Sequence, residues 1–295
     1  MDIRVLQYYL AVVREQSISK AAEKLHISQP TLSVQLRELE EELGKQLLIR
    51  GTKGSKKISL TDDGMLLRKR AEEIVLLMEK TRTELMLKDN VIAGNISIGA
   101  GETDAVRFVG KVAKEISSIY PDVHYQIHSG NSYYVFEQLD KGLIDFGIIF
   151  GEIDHTKYHS IELPFKDIMG VLMRKDAPLA KKELIAASDL WNLPLIVSGQ
   201  FDSDTFSNIL KKERNELNII ATYNLLFNAS LLVDEGLGYA IGLDKIINTT
   251  GESDLTFRPL SPKSESGLHL IWKKYQVLTK AAKIFIETTK KLYNL

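Results

Sequence analysis

Hydrophobic residues near the start of the chain recur every three or four positions. They are Ile3, Leu6, Tyr9, Leu10 and Val13. This spacing matches a helix of about 3.6 residues per turn and predicts an amphipathic helix over residues 3–15. A second, short helix follows, capped by Ser17 or Ser19. The adjacent Ala21 and Ala22 are small enough to let two helices cross closely, as a helix-turn-helix requires.

A third hydrophobic stripe consists of leucines spaced by four, three and four residues. It comprises Leu32, Leu36, Leu39 and Leu43. We predict a helix that begins at a cap on Ser28 or Gln29 and ends in a left-handed turn at Gly44. Pro30 suits the first turn of this helix, where the missing N–H costs little.

The other side of the third helix carries short or hydrogen-bonding side chains. These candidate DNA contacts are Ser28, Gln29, Pro30, Thr31, Ser33, Val34 and Arg37. Gln and Arg side chains can make bidentate hydrogen bonds to base edges in the major groove, and small neighbours allow close approach. Ser and Thr hydroxyls and the amides of a helix N-terminus can bind phosphates. This pattern is typical of a recognition helix.

Two short hydrophobic runs, at residues 46–50 and 57–60, predict a β-hairpin after the third helix. Arg50 ends the first strand, and the Gly-rich tip carries Lys53 and Lys56. A basic hairpin beside a helix-turn-helix is a wing, whose cations would lie along the phosphate backbone. The first 60 residues therefore predict a winged helix-turn-helix that binds double-stranded DNA.

Residues 61–89 predict one long helix that links two domains. Thr61 caps it, and a heptad seam runs along it through Leu67, Ala71, Ile74, Met78, Thr81 and Leu85. Such a seam favours pairing with a second copy of the chain. A dimer would place two recognition helices on successive major grooves, so the expected target is a dyad-symmetric site.

After residue 90, strands alternate with helices. The predicted strands are 95–99, 123–127, 144–150, 195–197, 219–223, 239–243 and 267–272, and the predicted helices are 106–119, 133–141, 203–213, 229–235 and 278–293. This alternation is typical of an α/β protein, and the pattern occurs twice.

Ligands of such sheets bind beyond the carboxyl ends of the strands, in the loops that lead to helices. The candidate effector contacts in these loops are Thr103, Asn131, Ser132, Phe150, Ser198 and Gln200. The hydroxyls and amides among them suit a carboxylate or another small anion. The neighbouring Glu102 and Asp104 favour a cationic or amphoteric ligand instead, so both chemistries stay open here.

Composition narrows the class of protein. The net charge is −1, yet the first 60 residues contain ten lysines and arginines against seven acidic residues, which suits a DNA-binding N-terminus. The absence of cysteine excludes disulfides and thiol chemistry. The N-terminus lacks a signal-peptide core and no apolar run is long enough to span a membrane, so we expect a cytoplasmic protein without membrane contact.

The six histidines do not predict a metal site. His124 and His128 lie on one predicted strand about 13 Å apart, which is too far for one ion, and His155 and His159 fall in a predicted loop. No nucleophile elbow, phosphate loop or dinucleotide glycine fingerprint is present. We therefore expect neither a cofactor nor catalysis.

The order and spacing of particular residues over the first sixty-odd positions are specific. They include Tyr9, Ser17, Ala21, Ala22, Leu25, Ser28, Gln29, Pro30, Ser33, Leu39, Gly44, Arg50, Thr61 and Gly64. This series resembles the N-terminal signature of LysR-type transcriptional regulators. The resemblance implies a winged helix-turn-helix, a long linker helix and a two-lobed effector-binding domain like the periplasmic binding proteins.

The same resemblance implies that the chain crosses twice between the lobes of the effector-binding domain, residues 90–295. Lobe I would comprise about 94–163 and 268–295, and lobe II about 164–267. It also implies a tetramer built from two dimers. Our hypothesis for the mechanism is that ligand binding between the lobes changes their closure and, through the linker helices, alters DNA bending and the recruitment of RNA polymerase. Val34 departs from the family, which often has arginine there, and predicts an apolar contact such as a thymine methyl or none.

Two other classes of function are compatible with parts of the pattern. The chain could be an enzyme, or a ligand-binding module whose N-terminal domain serves only for oligomerisation. Binding to DNA from the chain's own upstream region would distinguish a regulator from both.

Overall fold

A computed structural model describes residues 1–50, 57–86, 91–151, 153–201 and 203–295, without the side chains of residues 203–205. The chain divides into two compact units, Met1–Asp89 and Asn90–Leu295. Each unit has hydrophobic cores of its own.

The first unit begins with three short helices. They are α1 (Ile3–Glu15), α2 (Ile18–Leu25) and α3 (Gln29–Leu43). Of the alternative caps, Ser17 begins α2 and Ser28 begins α3, each accepting a backbone N–H with its side chain. Gly44 ends α3 with a φ of 62°, so the predicted left-handed turn is confirmed.

A two-stranded hairpin and a long helix complete this unit. The strands are β1 (Leu48–Ile49) and β2 (Ser59–Leu60), which pair antiparallel, and the helix is α4 (Asp62–Met86). Both strands are shorter than the sequence predicts. Thr61 accepts a hydrogen bond from the Gly64 amide at 3.0 Å, so it caps α4 as expected.

The predicted heptad seam of α4 divides into two parts. Ala71 is fully buried and Leu67 packs against the core formed by α1 to α3, so the start of the seam belongs to the chain's own first unit. Farther along, Ile74 and Leu85 are exposed. The seam that is free to pair therefore begins near Ile74, not at Leu67 as the heptad alone indicates.

The second unit begins with alternating strands and helices. They are β3 (Gly94–Ala100), α5 (Val106–Ile119), β4 (Val123–Ser129), α6 (Ser132–Asp140) and β5 (Phe146–Phe150). The chain then forms β6 (Tyr158–Arg174), a strand of 17 residues, and short β7 (Ile185–Ala186).

A second set of alternating elements follows. It comprises β8 (Leu195–Ser198), α7 (Ser203–Leu210), β9 (Ile219–Tyr223), α8 (Leu226–Asp234), β10 (Tyr239–Leu243) and β11 (Leu255–Ser261). The chain ends with β12 (Glu265–Lys273) and α9 (Lys280–Tyr293).

The strands follow the order β4-β3-β5-β12-β6-β10-β8-β9, with β11 paired to β6 and β7 paired to β11. The β3, β4 and β5 strands pair in parallel, as do β8, β9 and β10. Two antiparallel strands, β6 and β12, lie between these sets. The α/β prediction with two copies of one pattern is thus confirmed.

The sequence did not predict β6, β7 or β11. Pro164 interrupts the pattern of β6, and the structure accommodates it with an irregularity, because Leu163 pairs with Leu268 whereas Lys166 pairs with Gly267. Pro164 and Phe165 are thus two extra residues of β6 without a pairing partner in β12, and such positions need not donate to the ladder, which proline tolerates. His159 therefore lies in a strand, and its prediction as a loop residue was wrong.

Candidate DNA-binding surface and ligand site

The N-terminal half of α3 presents an exposed polar surface. Its exposed residues include Ser28, Gln29, Pro30, Thr31, Val34 and Arg37, and Ser33 is half-buried. The opposite face packs Leu32, Leu36 and Leu39 into the core, whereas Leu43 is exposed at the helix end, unlike the predicted stripe. The candidate DNA contacts therefore lie together on one accessible face.

Side-chain hydrogen bonds organise this surface. The Gln29 Nε2 atom donates to Ser33 Oγ at 2.8 Å, one turn away. The hydroxyls of Ser28 and Thr31 lie 2.7 Å apart, and Ser28 Oγ also accepts the Thr31 amide. These bonds hold short polar groups over the first turns of α3, where helix amides and hydroxyls can contact phosphate and base edges.

Arg50 lies beside the hairpin in an ion pair with Glu40 of α3. Its Nη2 atom is 3.2 Å from Glu40 Oε2, while Glu40 Oε1 accepts the amides of Leu47 and Leu48 at 2.8 and 3.0 Å. This carboxylate fixes the start of the hairpin to α3. The predicted contacts Lys53 and Lys56 lie outside the described residues.

In the second unit, Thr103 is a buried residue of the loop between β3 and α5. Its hydroxyl donates to Asp167 Oδ1 at 2.9 Å and accepts the Ala105 amide at 3.1 Å. Asp167 is buried in β6, and sequence reasoning missed it. The only available signal was one acidic residue that follows Lys166 and precedes the apolar run 168–173, and it indicates a strand position only after β6 is known.

Glu102 joins the same loop to the second set of elements. Its Oε2 atom accepts the backbone amide of Leu226, the first residue of α8. The carboxylate therefore occupies a helix N-terminus, where amides and the helix dipole favour an anion. Burial, and secondarily the charge of Glu102, raises the pKa of Tyr223, whose hydroxyl donates to the Ile241 carbonyl.

The other predicted effector contacts make mainly local hydrogen bonds. Asn131 caps α6 by accepting the Tyr134 amide, and Ser132 is the first residue of that helix. Ser198 is buried and accepts the Gln200 amide at 3.2 Å. Phe150 is exposed at the end of β5. The structure thus joins Thr103 to Asp167 and Ser198 to Gln200, but no described hydrogen bond connects these two pairs.

Burial is the main influence on the Asp167 carboxyl and raises its pKa above the usual value. The Thr103 hydroxyl and Lys245 act in the opposite direction, and the Asp104 carboxylate adds to the increase.

None of the described helices could cross a bilayer, since none is sufficiently long and apolar. In the described part of the chain, acidic residues and histidines form no group of three that could hold a metal ion.

The first unit has the architecture of a winged helix-turn-helix, and the second is an α/β domain with two parallel strand sets. Together they define a DNA-binding regulator with a ligand-binding domain. Residues 3–65 match the family described as "Bacterial regulatory helix-turn-helix protein, lysR family", and residues 89–293 match "LysR substrate binding domain". The chain belongs to the LysR family of transcriptional regulators, which act by binding DNA and not as enzymes.

Individual relatives agree with this assignment. The chain is 29% identical to the HTH-type transcriptional regulator CysL of Bacillus subtilis over 87% of this chain and 84% of CysL. It is 32% identical to the HTH-type transcriptional regulator BsdA of the same organism over 74% of each chain. A crystal structure of CbnR, a LysR family transcriptional regulator, shares the fold with a TM-score of 0.74 at 17% identity, covering 99% of both chains.

Proposed function

We propose that this chain regulates transcription by binding a dyad-symmetric promoter site through α3 and the wing, under the control of a small molecule bound between two lobes. Residues 1–60 bind DNA, residues 61–89 form the linker, and residues 90–295 bind the effector. The earlier alternative, an N-terminal domain used only for oligomerisation, leaves the exposed polar face of α3 without a role.

The observation that carries this proposal is the accessible row formed by Gln29, Ser33 and Arg37. Gln29 and Arg37 offer bidentate hydrogen bonds to base edges, and Val34 offers an apolar contact to a thymine methyl. The further proposed contacts, which position the helix on the phosphate backbone, are Ser28, Pro30, Thr31, Arg50, Lys53 and Lys56.

The proposed assembly is a dimer of α4 helices and a tetramer of two such dimers. Support comes from the length of α4, whose 25 residues extend about 37 Å. Ile74 and Leu85 on its seam are exposed, and exposed apolar residues at heptad spacing are typical of a partner helix. Two copies would then present their α3 helices to successive major grooves.

The proposed effector site lies where Thr103, Asn131, Ser132, Phe150, Ser198 and Gln200 follow the carboxyl ends of their strands. Lobe I comprises about 94–163 and 268–295, and lobe II about 164–267, so that β6 and β12 provide the crossings. An effector that prefers one arrangement of the lobes by about 1–3 kcal/mol would suffice to change DNA bending and the recruitment of RNA polymerase. A regulator of this kind acts in the cytoplasm.

The test is binding of the full chain to DNA from its own upstream region, followed by footprinting. We expect protection of two half-sites separated by about one or two helical turns. Arg37→Ala should lower affinity for this fragment by about 10- to 100-fold and have less effect on unrelated DNA, because a base contact is lost. Lys114→Ala, which removes the same charge from an exposed position on α5, is the control.

Failure of the wild-type chain to shift the fragment would contradict the proposal. Equal losses for Arg37→Ala on specific and unrelated DNA would contradict base recognition by α3, while leaving a phosphate contact.

A further inference from the structure

Asp167 lies at the point where β6 changes partners. Asp167 and Ile168 pair with Ser266 and Glu265 of β12, whereas the next residue, Met169, pairs with Leu243 of β10. The carboxyl group is therefore located where the chain passes from one set of strands to the other. Ligands of open α/β sheets bind at such crossing regions, beyond the strand ends.

The Asp167 carboxyl group is only half satisfied. Thr103 donates to Oδ1, but Oδ2 has no hydrogen-bond partner among the residues that the structure describes, and Asp167 is only 6% exposed. A carboxylate can accept several hydrogen bonds, and buried polar atoms are nearly always paired because leaving one unpaired is costly. A vacant buried acceptor beside the β3–α5 loop is suited to a donor supplied by a ligand.

The charges around Asp167 favour a cation over an anion. Asp104 and Lys245 act electrostatically on Asp167, and Glu102 lies on the same loop as Thr103. Three carboxyl groups thus stand against two cationic groups, the Lys245 ammonium and the Arg107 guanidinium that pairs with Asp104. The N-terminus of α8 would attract an anion, but it already receives the Glu102 carboxylate.

We infer that the effector presents a cationic nitrogen, a protonated amine or an amidinium, to Asp167, with Glu102 and Asp104 adding to the attraction. The inference rests on the proposed function, since it specifies the chemistry of the ligand that controls this regulator. The pairing would be a charge-assisted hydrogen bond from the ligand nitrogen to Oδ2. Burial raises the pKa of Asp167, and a cation bound at Oδ2 would lower this pKa again by stabilising the ionised carboxylate.

The test compares amines with carboxylates that carry the same hydrocarbon group as stabilisers of the full chain. The pairs are ethylamine and propionate, cyclohexylamine and cyclohexanecarboxylate, and benzylamine and phenylacetate. Thermal unfolding is measured at neutral pH and constant ionic strength, because ligand that binds only the folded state raises the unfolding temperature. We expect the amines to stabilise the chain in a saturable manner and the paired carboxylates to have no effect.

Two variants and one control locate the site of amine binding. Asp167→Asn should weaken amine binding by about 10- to 100-fold, as expected for loss of a charged hydrogen-bond partner. Asp122→Asn, an exposed position before β4, is the matched control and should bind as the wild type does. Glu102→Gln keeps an oxygen for the Leu226 amide and should weaken amine binding by a smaller factor, which provides a test if Asp167→Asn does not fold.

DNA binding, measured on the same samples, separates this inference from the proposed function. Stabilisation by carboxylates alone, the absence of any amine effect, or equal amine binding by wild type, Asp167→Asn and Glu102→Gln would each overturn the cationic effector. If DNA binding is intact in those cases, the regulator assignment stands. Loss of DNA binding by the wild-type chain would overturn the proposed function itself.

Discussion

Tyr9 of α1 donates a hydrogen bond from its hydroxyl to the carbonyl oxygen of Gly64 in the first turn of α4, at 2.7 Å. Tyr9 is fully buried, and burial raises the pKa of its hydroxyl to about 12. A Cβ atom at Gly64 would lie 2.2 Å from the carbonyl oxygen of Leu47. The start of the linker helix therefore meets α1 and the hairpin at a junction with no free space.

Gly64→Ala is expected to destabilise the first unit. The methyl group must displace the Leu47 backbone, and forced overpacking costs about 1–3 kcal/mol, which exceeds the gain of up to about 1 kcal/mol in helix propensity. Urea unfolding followed by far-UV circular dichroism should show a lower midpoint. Gly110→Ala in α5, where the added Cβ has no neighbour within 4 Å, is the control and should be neutral or stabilising. Equal effects of the two substitutions would contradict the crowded junction.

Glu40→Ala is expected to loosen the wing. The carboxylate accepts the amides of Leu47 and Leu48 and pairs with Arg50, so its removal leaves backbone donors of two buried residues unpaired. We expect a loss of about 2–3 kcal/mol in the free energy of unfolding, together with weaker DNA binding. Urea unfolding and DNA titration measure the two effects.

Glu41→Ala provides the comparison for Glu40, because the neighbouring glutamate is exposed on the same helix. Its effect should stay within about 0.5 kcal/mol. A similar loss for both glutamates would show that α3 is sensitive to charge in general, and that the bonds to the hairpin are not responsible.

The helices of the first unit were predictable because their signals are local. Ser28, Pro30 and Gly44 mark the ends of α3 within the sequence itself, and the leucine stripe fixes which face is buried. The division of the heptad seam was not predictable. Ala71 is fully buried in α4, which packs against α1 about sixty residues earlier in the chain, and periodicity cannot distinguish such a contact from one with a second molecule.

The proposed ligand site was predictable only in part. Thr103 follows a strand with a clear pattern, so its loop could be found from the rule about strand ends. Asp167 became part of the same site through β6, whose pattern is interrupted at Pro164 and whose partner β12 lies about a hundred residues farther along. The pairing that brings Asp167 to Thr103 is a property of the sheet, and the local sequence carries no sign of it.

Leu85→Glu is expected to weaken assembly through the linker helix. Leu85 is 81% exposed on the free part of the seam, and burying a leucine side chain in a dimer contributes about 1.5–3 kcal/mol, which the charged substitution removes. We expect the dimer dissociation constant to rise at least about tenfold. Thr83→Glu, on the other side of the helix, is the control. Light scattering after gel filtration, across a concentration series, measures the mass of the assembly for both variants. An unchanged mass for Leu85→Glu at all concentrations would contradict pairing through this seam.

Asp167→Asn is expected to stabilise the chain at neutral pH and to lose that advantage as the pH falls to the range near 4. Burial raises the pKa of the Asp167 carboxyl in the folded state. Between the pKa of this carboxyl in the unfolded chain and its raised pKa in the folded chain, the folded chain keeps a proton that the unfolded chain has released. Folding stability therefore falls as the pH rises through this range. The Asn side chain does not titrate, and its oxygen can still accept the Thr103 hydroxyl. Asp104 and Lys245, which also face this group, are present in both chains, so their titration largely cancels in the difference. Chemical denaturation of both proteins at neutral, mildly acidic and more strongly acidic pH measures the effect; a stability difference that does not change with pH, or that favours the wild type at neutral pH, would contradict it.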